Sequence, residues 1–365
     1  MTAIPTARDY SLIGRDSRLA VEAGLAAAEW YHTDIPRKEM KALMQREDGP
    51  AIRDTLLWIG LILGFAGLTV ASWPSWWAVP ALFAYGTLYG SSTDSRWHEC
   101  GHGTAFRTRW MNDAVYQVAC FMIMREPEIW RWSHTRHHTD TIIVGRDPEI
   151  AAMRPPAIGR IVSNVLALAS TGAAVRSILL HASGRLSDEE QTFVPRSEWP
   201  KVVRTARIWL AIHLVPIGLA LALGSWLPVL LVGPLPTMYG GWFALMVGLT
   251  QHAGLAENVL DHRLNSRTVY MNPVFRFLYW NMNYHVEHHM FPMVPYHRLP
   301  ALHARIKDDC PEPYPSTWAA YREIVPALGR QMRDPEWHVR RTLPPTARPY
   351  RPDLHGEVVH PAAAE

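Results

Sequence analysis

Residues 55–93, TLLWIGLILGFAGLTVASWPSWWAVPALFAYGTLYGSST, contain no Asp, Glu, Lys, Arg or His. A helix needs about 20 apolar residues to cross a hydrocarbon core of about 30 Å, so this run is long enough for two helices and a tight bend. The bend falls at 72–77, where three tryptophans, a proline and two serines meet. Tryptophan favours the membrane interface, and proline interrupts a helix. In a second run, 208–251, His213 is the sole residue among Asp, Glu, Lys, Arg and His, and the bend falls at Gly224-Ser-Trp-Leu-Pro228. The expected fold is therefore all-α and polytopic, with four transmembrane helices arranged as two hairpins, at about 55–73, 75–93, 207–226 and 228–250.

All 36 Lys and Arg lie outside the two runs, so the positive-inside rule puts both bends on the non-cytoplasmic face. That leaves a helical cap and both termini on the cytoplasmic side. Hydrophobic residues make up 48% of the chain while the mean hydropathy is only −0.08, as expected when much of the chain lies outside the bilayer. A net charge of +3 is too small to argue for nucleic acid. The first apolar run is far from a signal-peptide position, so the first span is expected to direct insertion. Cys100, Cys120 and Cys310 are scattered and read as reduced thiols, not as a disulfide framework or an iron–sulfur site.

Around the membrane unit, expected at 55–310, residues 1–54 read as surface helices over 16–29 and 36–46, the second with proline in its first turn. The segment 114–124 is too short to span and 161–175 is marginal, so both are expected to lie in the membrane plane or buried. Residues 311–341 read as a further helical segment. The proline-rich stretch 342–365 reads as a disordered tail.

Three histidine clusters carry the chemistry: His98-Glu-Cys-Gly-His102, His134-Thr-Arg-His137-His138 and His285-Val-Glu-His288-His289. On a helix, positions i, i+3 and i+4 share a face, so each cluster is expected to aim its imidazoles at one point. Imidazole suits iron, zinc, copper and nickel. Two triplets and a pair exceed the needs of one tetrahedral zinc, which favours a two-metal centre. The first cluster also satisfies the H-E-x-x-H pattern of zinc proteases, with Glu99 as water-activating base. A protease would leave the other two clusters without purpose, and a metal transporter would want ionisable groups inside the spans.

The order and type of these clusters, the hairpins before the first and between the second and third, and the run Asn283-Tyr-His-Val-Glu-His-His-Met-Phe-Pro292 resemble the membrane fatty acid desaturase and hydroxylase superfamily over about residues 55–310. The resemblance implies two non-haem iron ions held by His98, His102, His134, His137, His138, His285, His288 and His289. It also implies O2 as co-substrate, and desaturation or hydroxylation of an alkyl or acyl chain, such as a fatty acyl lipid or thioester. A ninth ligand is expected at His252, at the end of the fourth span, with His262 in reserve. Asp94, Glu99, Glu287 and Asn283 are expected behind the ligands, fixing tautomers or holding water. Trp130, Trp132 and Asp147, flanking the second cluster, are expected to line the substrate entry.

Two electrons per turnover are expected from a ferredoxin, rubredoxin or cytochrome with an NAD(P)H reductase. The expected location is a bacterial inner membrane, with membrane lipid around the spans and the metals on the cytoplasmic side. The stretches Trp30-Tyr-His-Thr-Asp-Ile-Pro36 and Asn283-Tyr-His285 also look similar to a bacterial branch with dihydrorhizobitoxine desaturase and rhizopine-biosynthesis oxygenases, which would admit a small polar alkyl-amino substrate.

Overall fold

The computed structural model describes residues 8–349. Regular structure among them is helical throughout, and β-type pairing is confined to two isolated bridges, Thr268 with Tyr284 and Val269 with Tyr314. The first helix, Arg15–Glu22, stops well short of residue 29. Gly24 takes φ +73, and the Leu25 amide reaches back to the Ala20 carbonyl at 2.9 Å, a left-handed glycine stop that the alanine-rich composition masks. The next helix, Arg37–Leu43, follows directly on Pro36.

Two helical runs are long and apolar enough to cross a membrane, Arg37–Ser72 and Arg196–Leu223, and the bent pair Ile158–Leu166 and Leu168–Ala182 would make a third if it counts as one. Within the two runs, the helices Asp48–Ser72 and Trp199–Leu223 expose Leu57, Leu63 and Leu68, and Leu214, Leu219 and Leu221. Apolar surface of this extent, left uncovered, marks contact with something other than water.

The two return segments differ from the straight spans expected at 75–93 and 228–250. The first is the helix Ala78–Gly86, a π-helical turn Thr87–Ser91 and the helix Ser92–Gly101, running straight into the first histidine cluster. The second breaks into Leu227–Leu231, Pro234–Gly240 and Trp242–His252, with Gly233 at φ +104 between the first two. These segments pack on each other. A Cβ built on Gly240 would lie 1.8 Å from the Gly86 carbonyl oxygen, and one on Gly90 would lie 2.9 Å from the Pro236 oxygen. Their apolar composition thus partly serves protein interior, which composition alone cannot separate from a lipid-facing span.

The remaining pieces bring the other clusters to the same end. The helix Pro127–Thr139, capped by Glu126 accepting from the Ile129 amide at 2.8 Å, carries the second cluster. A short helix, His285–Met290, carries the third. Beneath them Trp97, Phe106, Tyr116, Trp280 and Tyr296 form one buried cluster. The expected tail lies partly outside the described residues, at 350–365. Its described part, 342–349, is irregular but tethered: Thr346 donates to the Asp308 carbonyl at 2.5 Å and the Arg348 amide to Asp309 at 2.8 Å.

Replacing Gly240 by Val should cost about 3 kcal/mol or more through overpacking against Gly86. Gly218→Ala, which meets open space on a regular helix, should leave stability unchanged or raise it. Thermal unfolding in detergent reads both.

Candidate metal centre

The structure gathers nine imidazoles at the junction of these helices, in two groups. In the first, ligand atoms of His98, His102, His134, His138 and His288 all lie within 4.8 Å of one another; in the second, those of His137, His252, His285 and His289 do. The Nε2 atoms face inward. His134 Nε2 is 3.1 Å from those of His102 and His138, and His288 Nε2 is 3.2 Å from that of His138. In the second group His285 Nε2 is 2.9 Å from His252 Nε2 and 3.0 Å from His289 Nε2.

The clusters do not each serve one point, as their spacing alone implies. His134 and His138, four apart, share a face, while His137 turns to the other group. Likewise His285 and His289 share one group and His288 joins the other. Neighbouring residues on a helix diverge by about 100°, the angle set by 3.6 residues per turn. A His-His pair therefore straddles two centres.

Outward Nδ1 contacts fix four of the rings. His252 Nδ1 lies 2.7 Å from the Asn265 carbonyl, which can only accept, so the proton sits on Nδ1 and the Nε2 lone pair points inward. Thr141 Oγ1 spends its hydrogen on the His137 carbonyl at 2.6 Å, so it accepts from His289 Nδ1 at 3.2 Å. His137 Nδ1 meets Asp147 at 2.9 Å and His134 Nδ1 meets Glu149 at 3.1 Å. Asp147 is itself pinned by the amides of Ile142 and Glu149, at 2.7 and 2.8 Å.

Burial, followed by the neighbouring imidazoles, pushes His98, His134, His138, His285, His288 and His289 well below the usual histidine range. Burial likewise lowers His102 to about 4 and His252 to about 3. His137 is buried too, but the charge of Asp147 and its hydrogen bond outweigh burial and raise it. Eight of the nine rings are thus held neutral, the protonation state a metal requires. Inward lone pairs, outward acceptors and an all-nitrogen donor set fit two metal ions of the iron or zinc type.

Several expected neighbours stand elsewhere. Asp94 pairs with Arg125, whose guanidinium covers the rings of Trp97 and Trp130 at 4.7 and 4.3 Å, so its carboxylate is taken by a cation and not by His98. Glu287 accepts from Thr268 Oγ1 at 2.6 Å and meets His303 Nδ1 at 2.5 Å. Asn283 donates to the Val269 carbonyl at 2.8 Å, bracing two loops. Asp147, expected to line the substrate entry, sits behind His137, and Trp132 packs with Ile129, Val194 and Val202. Trp130 packs against Trp97. His262 stacks on Trp30 outside both groups.

Glu99 is fully buried, and burial raises its carboxyl to about 8. It accepts from Thr104 Oγ1 at 3.0 Å and the Tyr296 amide at 3.1 Å, with its other oxygen 3.8 Å from His288 Nδ1. It therefore stands behind a ring. Sequence reasoning missed Glu149, Thr141 and Asn265. The readable signal for Glu149 was the acidic run Asp140, Asp147, Glu149 just after the second cluster; a hydroxyl or a backbone carbonyl gives no such signal. A cavity of about 60 Å³ opens against His137 and His252, lined also by Ile142, Ile150, Gly248 and Leu249.

A model of the fatty acid desaturase family matches residues 71–321, and the chain belongs to that family. It is 26% identical over 267 residues to a Delta(12) fatty acid desaturase of Calendula officinalis, covering 64% of this chain and 66% of that one. A probable fatty acid desaturase of Sorghum bicolor is 25% identical over 283 residues, 73% of this chain and 66% of its own. An sn-1 oleoyl-lipid 12-desaturase of Anabaena variabilis is 28% identical over 126 residues, 33% of this chain and 34% of that one. The chain thus spans just under two thirds of the length of the first two relatives.

Asp147→Asn removes the charge behind His137 and should weaken metal binding about 10–100-fold, in the four-histidine group alone. Competition between the protein and a chelator for iron(II) reads one weakened metal equivalent of two.

Proposed function

We propose that this chain is a membrane-bound, O2-dependent oxidoreductase that desaturates an alkyl chain, with a fatty acyl lipid as substrate class. The observation that carries the reading is the pair of inward-facing imidazole groups, buried side by side in a chain of the desaturase family. Two iron ions held there, one by His98, His102, His134, His138 and His288 and one by His137, His252, His285 and His289, supply activation of dioxygen and removal of hydrogen from an unactivated carbon.

For desaturation, a –CH2–CH2– unit, O2, two electrons and two protons give –CH=CH– and two waters. The chain's own part is positional. Nδ1 contacts from Asn265, Thr141, Asp147 and Glu149 hold the rings, and burial of His98, His134, His137 and the third cluster limits bulk water at the reacting carbon. The cavity beside His137 and His252 opens on the four-histidine group, its wall mixing Ile142, Ile150 and Leu249 with Glu149, Arg154, Gln251 and Glu257. The names of the relatives support an acyl chain as the substrate. A zinc protease is disfavoured by Glu99, whose carboxylate is held by Thr104 and Tyr296 behind His288.

Four crossings, with the metals at the cytoplasmic face of a bacterial inner membrane, follow from the charge-free runs and the placing of Lys and Arg. Electrons come from a separate ferredoxin-, rubredoxin- or cytochrome-type donor and its NAD(P)H reductase.

Cells expressing the chain should gain an unsaturated acyl species by mass spectrometry of lipids and small metabolites, and the purified protein should hold about two irons. His288→Ala should abolish product and lower iron, whereas Glu99→Gln should retain the metal. A lone zinc with peptide hydrolysis that depends on Glu99 would reverse the assignment. Cysteines introduced at the exposed Ser75 and Thr139 should be labelled from opposite sides of the membrane, the native thiols being buried.

A further inference from the structure

The segment 25–36 crosses the metal end of the molecule and lays one ring against it. Trp30, half-buried, stacks on His262 with ring centroids 4.3 Å apart and planes 2° from parallel. His262 is 2% exposed, and its ring centroid lies 5.1 Å from that of His289 of the four-histidine group. The Trp30 indole N–H also donates, at 2.9 Å, to the carbonyl of Thr139, the residue next to His138. One half-buried ring therefore leads toward both groups, by a stack on His262 and that ring's tilted contact with His289, and by a hydrogen bond to the segment bearing His138.

Packing alone accounts poorly for this arrangement. His262 Nδ1 has no hydrogen-bond partner, and an unpaired polar atom at a buried position costs about 1–3 kcal/mol that an aliphatic side chain there would avoid. Near-parallel rings with centroids 4.3 Å apart fit the favoured offset stack, and their surroundings hold them in it. Those supports are present: the Tyr31 amide donates to the Leu260 carbonyl at 2.9 Å, and the Arg263 guanidinium covers the Tyr31 ring at 3.5 Å. The backbones on both sides of the stack are tied to each other.

We propose that Trp30 and His262 form the path by which electrons enter the metal pair, with an external one-electron donor protein of the iron–sulfur or haem class presenting its cofactor at the Trp30 edge. This rests on the redox reading of the site given above. Each turnover then takes two successive one-electron transfers, in which the donor is oxidised and the iron(III) pair is reduced to iron(II), with no bond made or broken along the path. Electron transfer slows steeply with each gap, and rings in contact leave the fewest gaps between surface and ligand. His262, which is too far behind His289 to join either metal group, acquires a role as a relay.

The test attaches a photoreductant in place of the unidentified donor. Cys100, Cys120 and Cys310 are all buried, so a ruthenium–bipyridine label on Glu29→Cys, at an exposed position beside Trp30, goes to one site. Flash reduction of the iron-loaded protein is followed by rapid-freeze paramagnetic resonance. Trp30→Leu and His262→Leu should each slow the light-driven step by about tenfold or more, Trp30→Phe should restore most of it, and iron content and bulk reduction by dithionite should stay unchanged in all three. Unchanged light-driven rates in the Leu variants overturn the proposal. So does a Leu variant that loses iron or slows equally with dithionite, since the stack then only packs. A wild-type metal pair that dithionite cannot reduce overturns the proposed function itself, and this inference with it.

Discussion

Everything at the working end of this molecule depends on keeping nine imidazoles, six buried and three half-buried, uncharged with their lone pairs turned inward. Nε2 atoms about 3 Å apart cannot all carry protons, and a buried imidazolium ringed by others would be strongly disfavoured. Two devices meet the constraint. Desolvation lowers the proton affinity of eight rings, and outward acceptors claim the Nδ1 hydrogen of His134, His137, His252 and His289. The ninth, His137, is the exception that shows the cost of a charged acceptor: Asp147 orients it firmly and also raises its proton affinity.

The sequence made the inward half of this arrangement legible and left the outward half dark. Imidazoles at i, i+3 and i+4 announce a metal, and His252 was readable from its place at the end of an apolar run. The division between two centres was not, because it turns on the 100° between adjacent residues and not on the cluster as a unit. The supports were harder still. Asp94 sits four residues before His98, the right spacing for an orienting carboxylate, yet Arg125 claims it. Asp147 looked like a residue on an entry path and proves to lie behind a ring. Asn265 acts through a backbone carbonyl, for which no residue type is a signal.

The fold was legible in the same uneven way. Two long apolar helices answer to charge-free runs, since length and composition settle them. The return segments did not reveal their breaks. Glycines in an apolar run do not announce a break, yet Gly86 and Gly240 allow two backbones to touch and Gly233 supplies a left-handed turn.

Broken helices in an apolar setting leave backbone groups without their usual partners, and an unpaired carbonyl or amide there is expensive. Side-chain hydroxyls of neighbouring segments take up that burden here. Tyr85 donates to the Leu231 carbonyl and Tyr239 to Leu230, Tyr89 accepts from the Gly233 amide at 3.3 Å, Thr237 donates to Met122 at 2.8 Å and Ser91 to Gly240 at 2.5 Å. Of these, the Tyr89 and Ser91 bonds cross-link the π turn 87–91 to the break at 232–241, and each segment leads within a dozen residues to a metal-facing histidine, His98 on one side and His252 on the other. The breaks therefore serve the site. A straight helix would fix the direction of His98 or His252 by its first turn, many residues away, whereas a hinged pair locked by hydroxyls lets each terminal turn be aimed separately while the freed groups of Leu230, Leu231, Gly233 and Gly240 keep partners.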